Sequence, residues 1–388
     1  MSTSTSTTTT DPIPSIISSL LQTLQNTGIN IIDHHLDKNA ISLGHNFCAG
    51  IAKLKVTYEL PEDGTQREQS FVLKIPSQSP FYEQLSALKM YQNEVQMYST
   101  ILPAMGALGE VDFAAKSYLP LADDNLVLED LNELGYEVVN KKNQLDLAHS
   151  KLALKALAKL HGLSVKLYEK SRETLEVIVI PPRETPKEAV PSAIFEKFDN
   201  TVAVLDIPQE VRAKVHDFVV NIPEKTFNET MLPNENFNVL CHGDFWLGNM
   251  LFKHNAEGAV EDIKVVDFQM AHRCSPAIDL IEFFVTSIRF DVYISKRDEL
   301  IELYLETLNG LLESLKSTAR YTRSDLDRDV RRYKLFHLYN LGPYMSAVLS
   351  DQEDPFNLSG KDTTIYTSPL YRDALTKWLL HLNEGDML

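Results

Sequence analysis

The run Cys241-His242-Gly243-Asp244-Phe245-Trp246-Leu247-Gly248-Asn249-Met250 constrains this chain more than any other stretch, because Asp267 follows it 18 positions after Asn249. The surrounding apolar runs (NVLCHG, NMLF and IKVVDF, between Phe237 and Phe268) are short and separated by polar turns, so they read as short strands. An Asp-x4-Asn step between such strands lets a loop turn back on itself. Side chains spread over 23 positions can then meet at one point. The fold has to supply a β patch that holds them there.

The rest of the chain divides around that patch. Residues 1–12 (MSTSTSTTTTDP) form a Ser/Thr tail that can bury nothing and is expected to be disordered. Residues 14–26 carry Ile17, Leu20, Leu21 and Leu24 at helical spacing. Ala52 to Leu60 alternates apolar and polar residues as a half-buried strand does, Pro61, Asp63 and Gly64 turn the chain, and Phe71 to Ile75 returns it. A helix is predicted from Tyr82 to Leu102, then strands near Ala115–Leu121 and Asn125–Leu131 joined at Ala122, Asp123 and Asp124. From about residue 132 the pattern is mainly helical. Asp146 to His161 reads as a helix with Gly162 as its stop, and the chain beyond Ser275 is helical almost to its end. The expectation is an α+β, bilobal plan with a β-rich N-lobe (13–131) and a large, mainly helical C-lobe (132–388).

Composition removes several classes of function. With 54 acidic against 37 basic residues, the formal charge of −17 repels nucleic acid and anionic lipid. The three cysteines (Cys48, Cys241 and Cys274) are scattered, which supports neither a disulfide framework nor a zinc site. No stretch of about 18 apolar residues is present to span a membrane, and the N-terminus lacks a secretory pattern. The expected compartment is the cytoplasm, and the expected state a monomer.

The polar residues of the β patch have a specific chemical reading. Phosphoryl transfer to a hydroxyl needs a carboxylate to orient the acceptor and take its proton, here Asp244. It needs a carboxylate to bind the metal bridging the phosphates, here Asp267, and a neutral oxygen to complete the metal shell, here Asn249. The spacing matches the catalytic loop of protein kinases followed by a DFx strand end. His242 is expected to brace the loop. Asp, Asn and Gly also favour ordinary turns, and a lone HGD or DF would mean no more than that. Their combination at this distance favours the chemistry.

The first lobe supplies matching parts. Lys74 lies mid-strand in FVLKIP, where an unpaired ammonium would be costly to bury, and Glu94 lies on the next helix. Such a pair holds the α- and β-phosphates of ATP in kinases. Each could instead be an ordinary surface charge. Gly44 and Asn46, in Ser42–Gly50, are placed to cover phosphates. Glu129 and Leu131 would form the hinge that meets the adenine edge. The expected cofactors are ATP and Mg2+.

These segments resemble the ecdysteroid kinase-like family of insect small-molecule kinases, within the choline kinase and aminoglycoside phosphotransferase superfamily. The resemblance rests on GHNFCAGIAKLKVTY, FVLKIP, NEVQMYSTILP, NLVLEDL, LAKLHGLS, LCHGDFWLGNMLF and VVDFQMAHRCSPAIDLIEFF. It implies a protein-kinase-like fold, ATP-dependent phosphorylation of a small hydroxylated substrate such as the 22-hydroxyl of an ecdysteroid, and a bracing role for Asp279. The DFQ variant with Gln269, where choline kinases usually carry an acid, and the SPAIDL that follows mark this branch; one position departs, Ala49, where the family often has serine. Other hydroxylated lipophiles or xenobiotics remain open as substrates. So does a non-catalytic hormone- or nucleotide-binding role, although such proteins lose the base, the metal ligand or the lysine, and all three stand here. Tyr333, Phe336, His337, Tyr339 and Tyr344 could line an apolar substrate cleft or belong to the core.

Overall fold

A computed structural model describes residues 13–37, 49–76, 89–118, 125–178, 192–221, 223–350 and 364–388. The chain divides into two compact units, one of residues up to 77 with 116–133, the other of 78–115 with 134–388.

The first unit is an antiparallel sheet in the order β1 (Asn30–Asp37), β2 (Ala49–Glu59), β3 (Gln66–Pro76), β4 (Leu126–Glu129). Helix α1 (Ile13–Asn26) buries Ile16, Leu20 and Leu24, four residues apart, against Ala52, Leu54, Val56, Phe71, Leu73 and Val127. The alternation seen between Ala52 and Leu60 is thus the pleat of β2, with one face on the helix. Strand β1 was not anticipated. Its sequence, NIIDHHLD, is polar and mostly exposed because it forms an edge, so it carries no burial alternation. Residues 116–118 make antiparallel contacts with β4 through Ser117 opposite Leu128, and the expected turn at 122–124 lies outside the described residues.

In the second unit α2 (Met90–Gln96) runs on through a π turn (Met97–Ile101) to Gly106, and the expected start at Tyr82 lies outside the described residues. Two small antiparallel sheets form the β patch. One has the order β5 (Tyr136–Val138), β7 (Met250–His254), β8 (Val260–Val265), and the other pairs β6 (Val239–Cys241) with β9 (His272–Cys274). The three-residue strands β5 and β9 are too short to show a period in sequence.

Around the patch pack α3 (Leu147–Lys170), α4 (Ala277–Thr286), α5 (Phe290–Ser314) and the later helices. Gly162 does not end a helix: α3 continues eight residues past it. A Cβ at that position would lie 2.8 Å from the Leu311 side chain of α5, so the glycine allows two long helices to approach closely. Tyr333, Phe336, His337 and Tyr339 are buried. Among the described residues no helix is long and apolar enough to cross a membrane.

Candidate active site

The loop from His242 to Asn249 hangs between the buried strand β6 and the half-buried β7, and Asp267 follows β8, the partner of β7. The sheet therefore places the two ends of the motif side by side. The N–H of Val266 donates to the carbonyl of Asn249 at 3.0 Å, directly linking the residue before Asp267 to Asn249.

Gly243 makes the sharp turn into the loop. Its φ is +77°, and a Cβ there would sit 2.2 Å from the Met270 carbonyl oxygen, so no other residue fits. His242 then ties the turn down. Its Nε2–H donates to the Val266 carbonyl at 3.0 Å, and its Nδ1 accepts the N–H of Asp244 at 3.3 Å. Those two bonds define a neutral tautomer. Burial agrees by holding the imidazole below its usual pKa, against the Asp279 charge and the Val266 carbonyl.

Asn249 is delivered by a 3-10 turn, Leu247–Asn249. Its Nδ2 donates to the Asp244 carboxylate oxygen Oδ2 at 2.8 Å and to the Asp244 carbonyl at 2.9 Å. Both amide hydrogens are thereby committed, which leaves the side-chain carbonyl oxygen as its remaining polar atom. Asp267 is buried and held in the left-handed region at φ +69°, ψ 60°, with Gln269 Nε2 donating to its Oδ2 at 3.4 Å. A strained backbone at a buried carboxylate is common where a side chain must be aimed.

The electrostatics of Asp244 set its chemistry. Its pKa is pushed up from the usual 3.8 to about 7, first by burial and next by the Asp267 charge, against hydrogen bonds from Asn249 and Trp246. Some of its surface still reaches solvent. A carboxylate titrating near neutrality is matched to accepting a proton from an alcohol. Phe245 is buried in the loop's packing, and the Trp246 ring covers Gly248, where a Cβ would lie 2.3 Å from it.

Asp279 stands beneath the loop, fully buried at the start of α4. Its Oδ2 accepts the N–H of His242 at 2.7 Å and His161 Nε2 at 2.9 Å, and its Oδ1 accepts the N–H of Gly243 at 2.9 Å. Burial would raise its pKa, but the hydrogen bond and charge of His161 hold it below the usual range. His161, buried in α3, was not singled out from sequence. The signal was a lone histidine among the leucines of the helix segment LAKLHGLS. His161, Cys241 and Asp279 lie close enough to suggest a metal trio. His161 Nδ1 is hydrogen-bonded with the Tyr304 hydroxyl at 2.8 Å, however, and the Cys241 thiol donates to the Ser275 carbonyl at 3.3 Å. Burial pushes that thiol well above its usual pKa, so the trio is closed by hydrogen bonds and does not form a cation site.

The remaining expected residues are placed as follows. Lys74 is buried in β3, opposite Ile51 of β2 and Leu126 of β4, a central position in its sheet. Glu129 ends β4, its carboxylate accepting the N–H of Lys116 at 2.9 Å. Leu131 follows it and is buried, next to Asp130, which accepts from Lys53 Nζ at 2.8 Å and Ser70 Oγ at 2.9 Å. Glu94 belongs to the second unit, buried in α2, the helix segment whose continuation sets Tyr98 edge-on to Phe268, 5.7 Å between centroids. Gly44 and Asn46 lie outside the described residues. The structure thus brings His242, Asp244, Asn249 and Asp267 together.

The profile of the ecdysteroid kinase-like family matches residues 43–317, well over half of the chain. The chain belongs to that family. It is a small-molecule kinase, a phosphotransferase with a hydroxyl acceptor. No curated protein matched the sequence. Among solved structures it is similar to Plasmodium vivax ethanolamine kinase, at 12% identity and a TM-score of 0.41 over 98% of this chain and 91% of that one. The ternary complex of APH(2")-IIa with streptomycin and ATP gives 12% and 0.38 over 89% and 94%. Glucosamine kinase with glucosamine, ADP and inorganic phosphate gives 12% and 0.34 over 98% and 97%. At such scores nothing further is drawn from these three.

Proposed function

We propose that this kinase transfers the γ-phosphate of ATP, with Mg2+, to a hydroxyl of an ecdysteroid, the 22-hydroxyl first among candidates. The observation that carries the reading is the Asp244 carboxylate, held by the Asn249 amide at 2.8 Å and lifted toward neutral pKa beside Asp267, within the span matched by the family. The substrate class comes from the family's description.

The donor set suits magnesium. Asp267 supplies a buried carboxylate, Asn249 a carbonyl oxygen whose own amide hydrogens are spent, and the charge of Asp267 weighs on Asp244 in a way a cation would relieve. Asp267 and Asn249 would hold the metal, which would supply positive charge to offset that of the phosphates. Asp244 accepts the proton of the acceptor hydroxyl and orients its oxygen. His242 and Asp279 keep the loop from relaxing, and neither needs to change protonation.

Lys74 and Glu94 are both assigned to nucleotide binding, Lys74 to the α- and β-phosphates. Glu129 and Leu131 take the adenine edge, and Gly44 and Asn46 the phosphate loop. On this reading residues 13–131 form the nucleotide-binding lobe and 132–388 the catalytic one, in a cytoplasmic monomer. The test is incubation of the purified chain with Mg-ATP and a panel of ecdysteroids and other hydroxylated lipophiles, with products identified by mass spectrometry. A phosphorylated ecdysteroid supports the assignment. Phosphorylation confined to other compounds would replace the substrate, and ligand-induced thermal stabilisation without any turnover would overturn the catalytic reading.

A further inference from the structure

Helix α4 does more than carry Asp279. The residues on the two sides of Asp244, Gly243 and Phe245, each give their backbone N–H to a carboxyl group of this helix, the two carboxyl groups three residues apart. Gly243 N–H donates to Asp279 Oδ1 at 2.9 Å, and Phe245 N–H donates to Glu282 Oε2 at 2.8 Å. Just past the helix end, Ser287 Oγ accepts the N–H of Leu247 at 2.9 Å. Leu247 is the first residue of the 3-10 turn that presents Asn249. With His242 N–H on Asp279 Oδ2, four backbone donors of the loop land on Asp279, Glu282 and Ser287.

Glu282 is a costly residue for this place. Its side chain is buried, and so are its neighbours Phe245, Phe283 and Asp279. Burial, followed by the charges of Asp244 and Asp279, pushes its pKa well above the usual carboxylate range. An apolar side chain of the same size would avoid both penalties but would leave the Phe245 N–H buried without an acceptor. The same reasoning applies to Ser287, which is fully buried.

We propose that Glu282 and Ser287 are positioning residues for phosphoryl transfer, Glu282 fixing the direction of Asp244 through Phe245 and Ser287 fixing the delivery of Asn249 through Leu247. This deepens, and rests on, the assignment of Asp244 as base and Asn249 as metal ligand. Asp279, with the His242 ring on the Val266 carbonyl, grips the loop before Asp244. The grip after it, and the one that seats Asn249, belong to Glu282 and Ser287.

The test uses the full chain and three variants: Glu282→Gln, which keeps a carbonyl acceptor of the same length, Glu282→Met, which removes it at similar volume, and Ser287→Ala. Steady-state kinetics and hydrogen–deuterium exchange of the peptide spanning 242–250 are measured on each. Glu282→Met is expected to lower kcat by roughly 10- to 100-fold while KM for ATP stays within about threefold, as a misaimed base would. The same variant should speed exchange in that peptide. Glu282→Gln should restore kcat to within about fivefold of wild type and recover the slow exchange. Ser287→Ala should raise the Mg2+ concentration for half-maximal rate by about threefold or more, through Asn249. The proposal is overturned if Glu282→Met keeps kcat within twofold, if Glu282→Gln is as impaired as Glu282→Met, or if loop exchange is unchanged in Glu282→Met. A wild type without any Mg-ATP turnover would instead sink the functional reading, whatever the exchange data show of the pin.

Discussion

Asp244 answers to two opposed demands. As the proposed base it needs a free carboxylate at working pH, yet burial and Asp267 draw its pKa up to about 7. In the free enzyme kcat/KM should therefore rise about tenfold per pH unit below that value and level off above it. The stability effect has the opposite sense. The folded chain keeps a proton on Asp244 between pH 3.8 and about 7, where the unfolded chain has lost it, so this group's contribution falls as pH rises through that window. Asp244→Asn should remove the fall, raising the melting temperature at pH 8 by ~2 °C or more in the absence of nucleotide. It should lower turnover by roughly 10³-fold with ATP affinity nearly intact. Calorimetry and kinetics on the same preparation check both. A variant with wild-type turnover, or one that melts lower at pH 8, contradicts the assignment. Asp267→Ala is expected to lose magnesium-dependent nucleotide affinity by about tenfold or more, read by titration calorimetry with Mg-ATP.

At the scale of elements, glycines and helix faces decide the outcome. Gly162→Val would drive a branched side chain into Leu311, 2.8 Å from the Cβ position, and should cost about 2 kcal/mol or more in urea denaturation. A neutral result would mean α3 and α5 can separate. Gly243→Ala meets the Met270 carbonyl and a positive φ together and should abolish activity even where the protein still folds. In the first unit, Leu20→Ala should cost about 3 kcal/mol, since the side chain is fully buried between α1 and the sheet.

These elements also show what sequence alone can reveal. His242, Asp244, Asn249 and Asp267 were legible because a rare spacing of polar residues among short strands has few meanings. Strand β1 was not, since an exposed edge carries no alternation. Gly162 misled because a glycine in a helix reads locally as a stop, while its reason, Leu311, lies 149 positions away. The acceptors beneath the loop are hidden in the same way. Glu282 in the helix and Ser287 at its end look ordinary until the fold sets them against Phe245 and Leu247, 37 and 40 positions earlier.

On the scale of the whole molecule, the family match from 43 to 317 takes in the sheet carrying Lys74, the loop of Asp244 and the helix of Asp279. With a net charge of −17, the proposed binding of a triphosphate would depend on a few local cations and a metal. The central claim is that Asp244, Asn249 and Asp267 act on one bound Mg-ATP. Its most direct measurement is ATP consumption by the full chain with and without Mg2+ and an ecdysteroid acceptor, in wild type and Asp244→Asn. Turnover that requires the metal, rises with the acceptor and vanishes in the variant is the predicted result. Turnover indifferent to Mg2+, or undiminished in Asp244→Asn, would contradict the account.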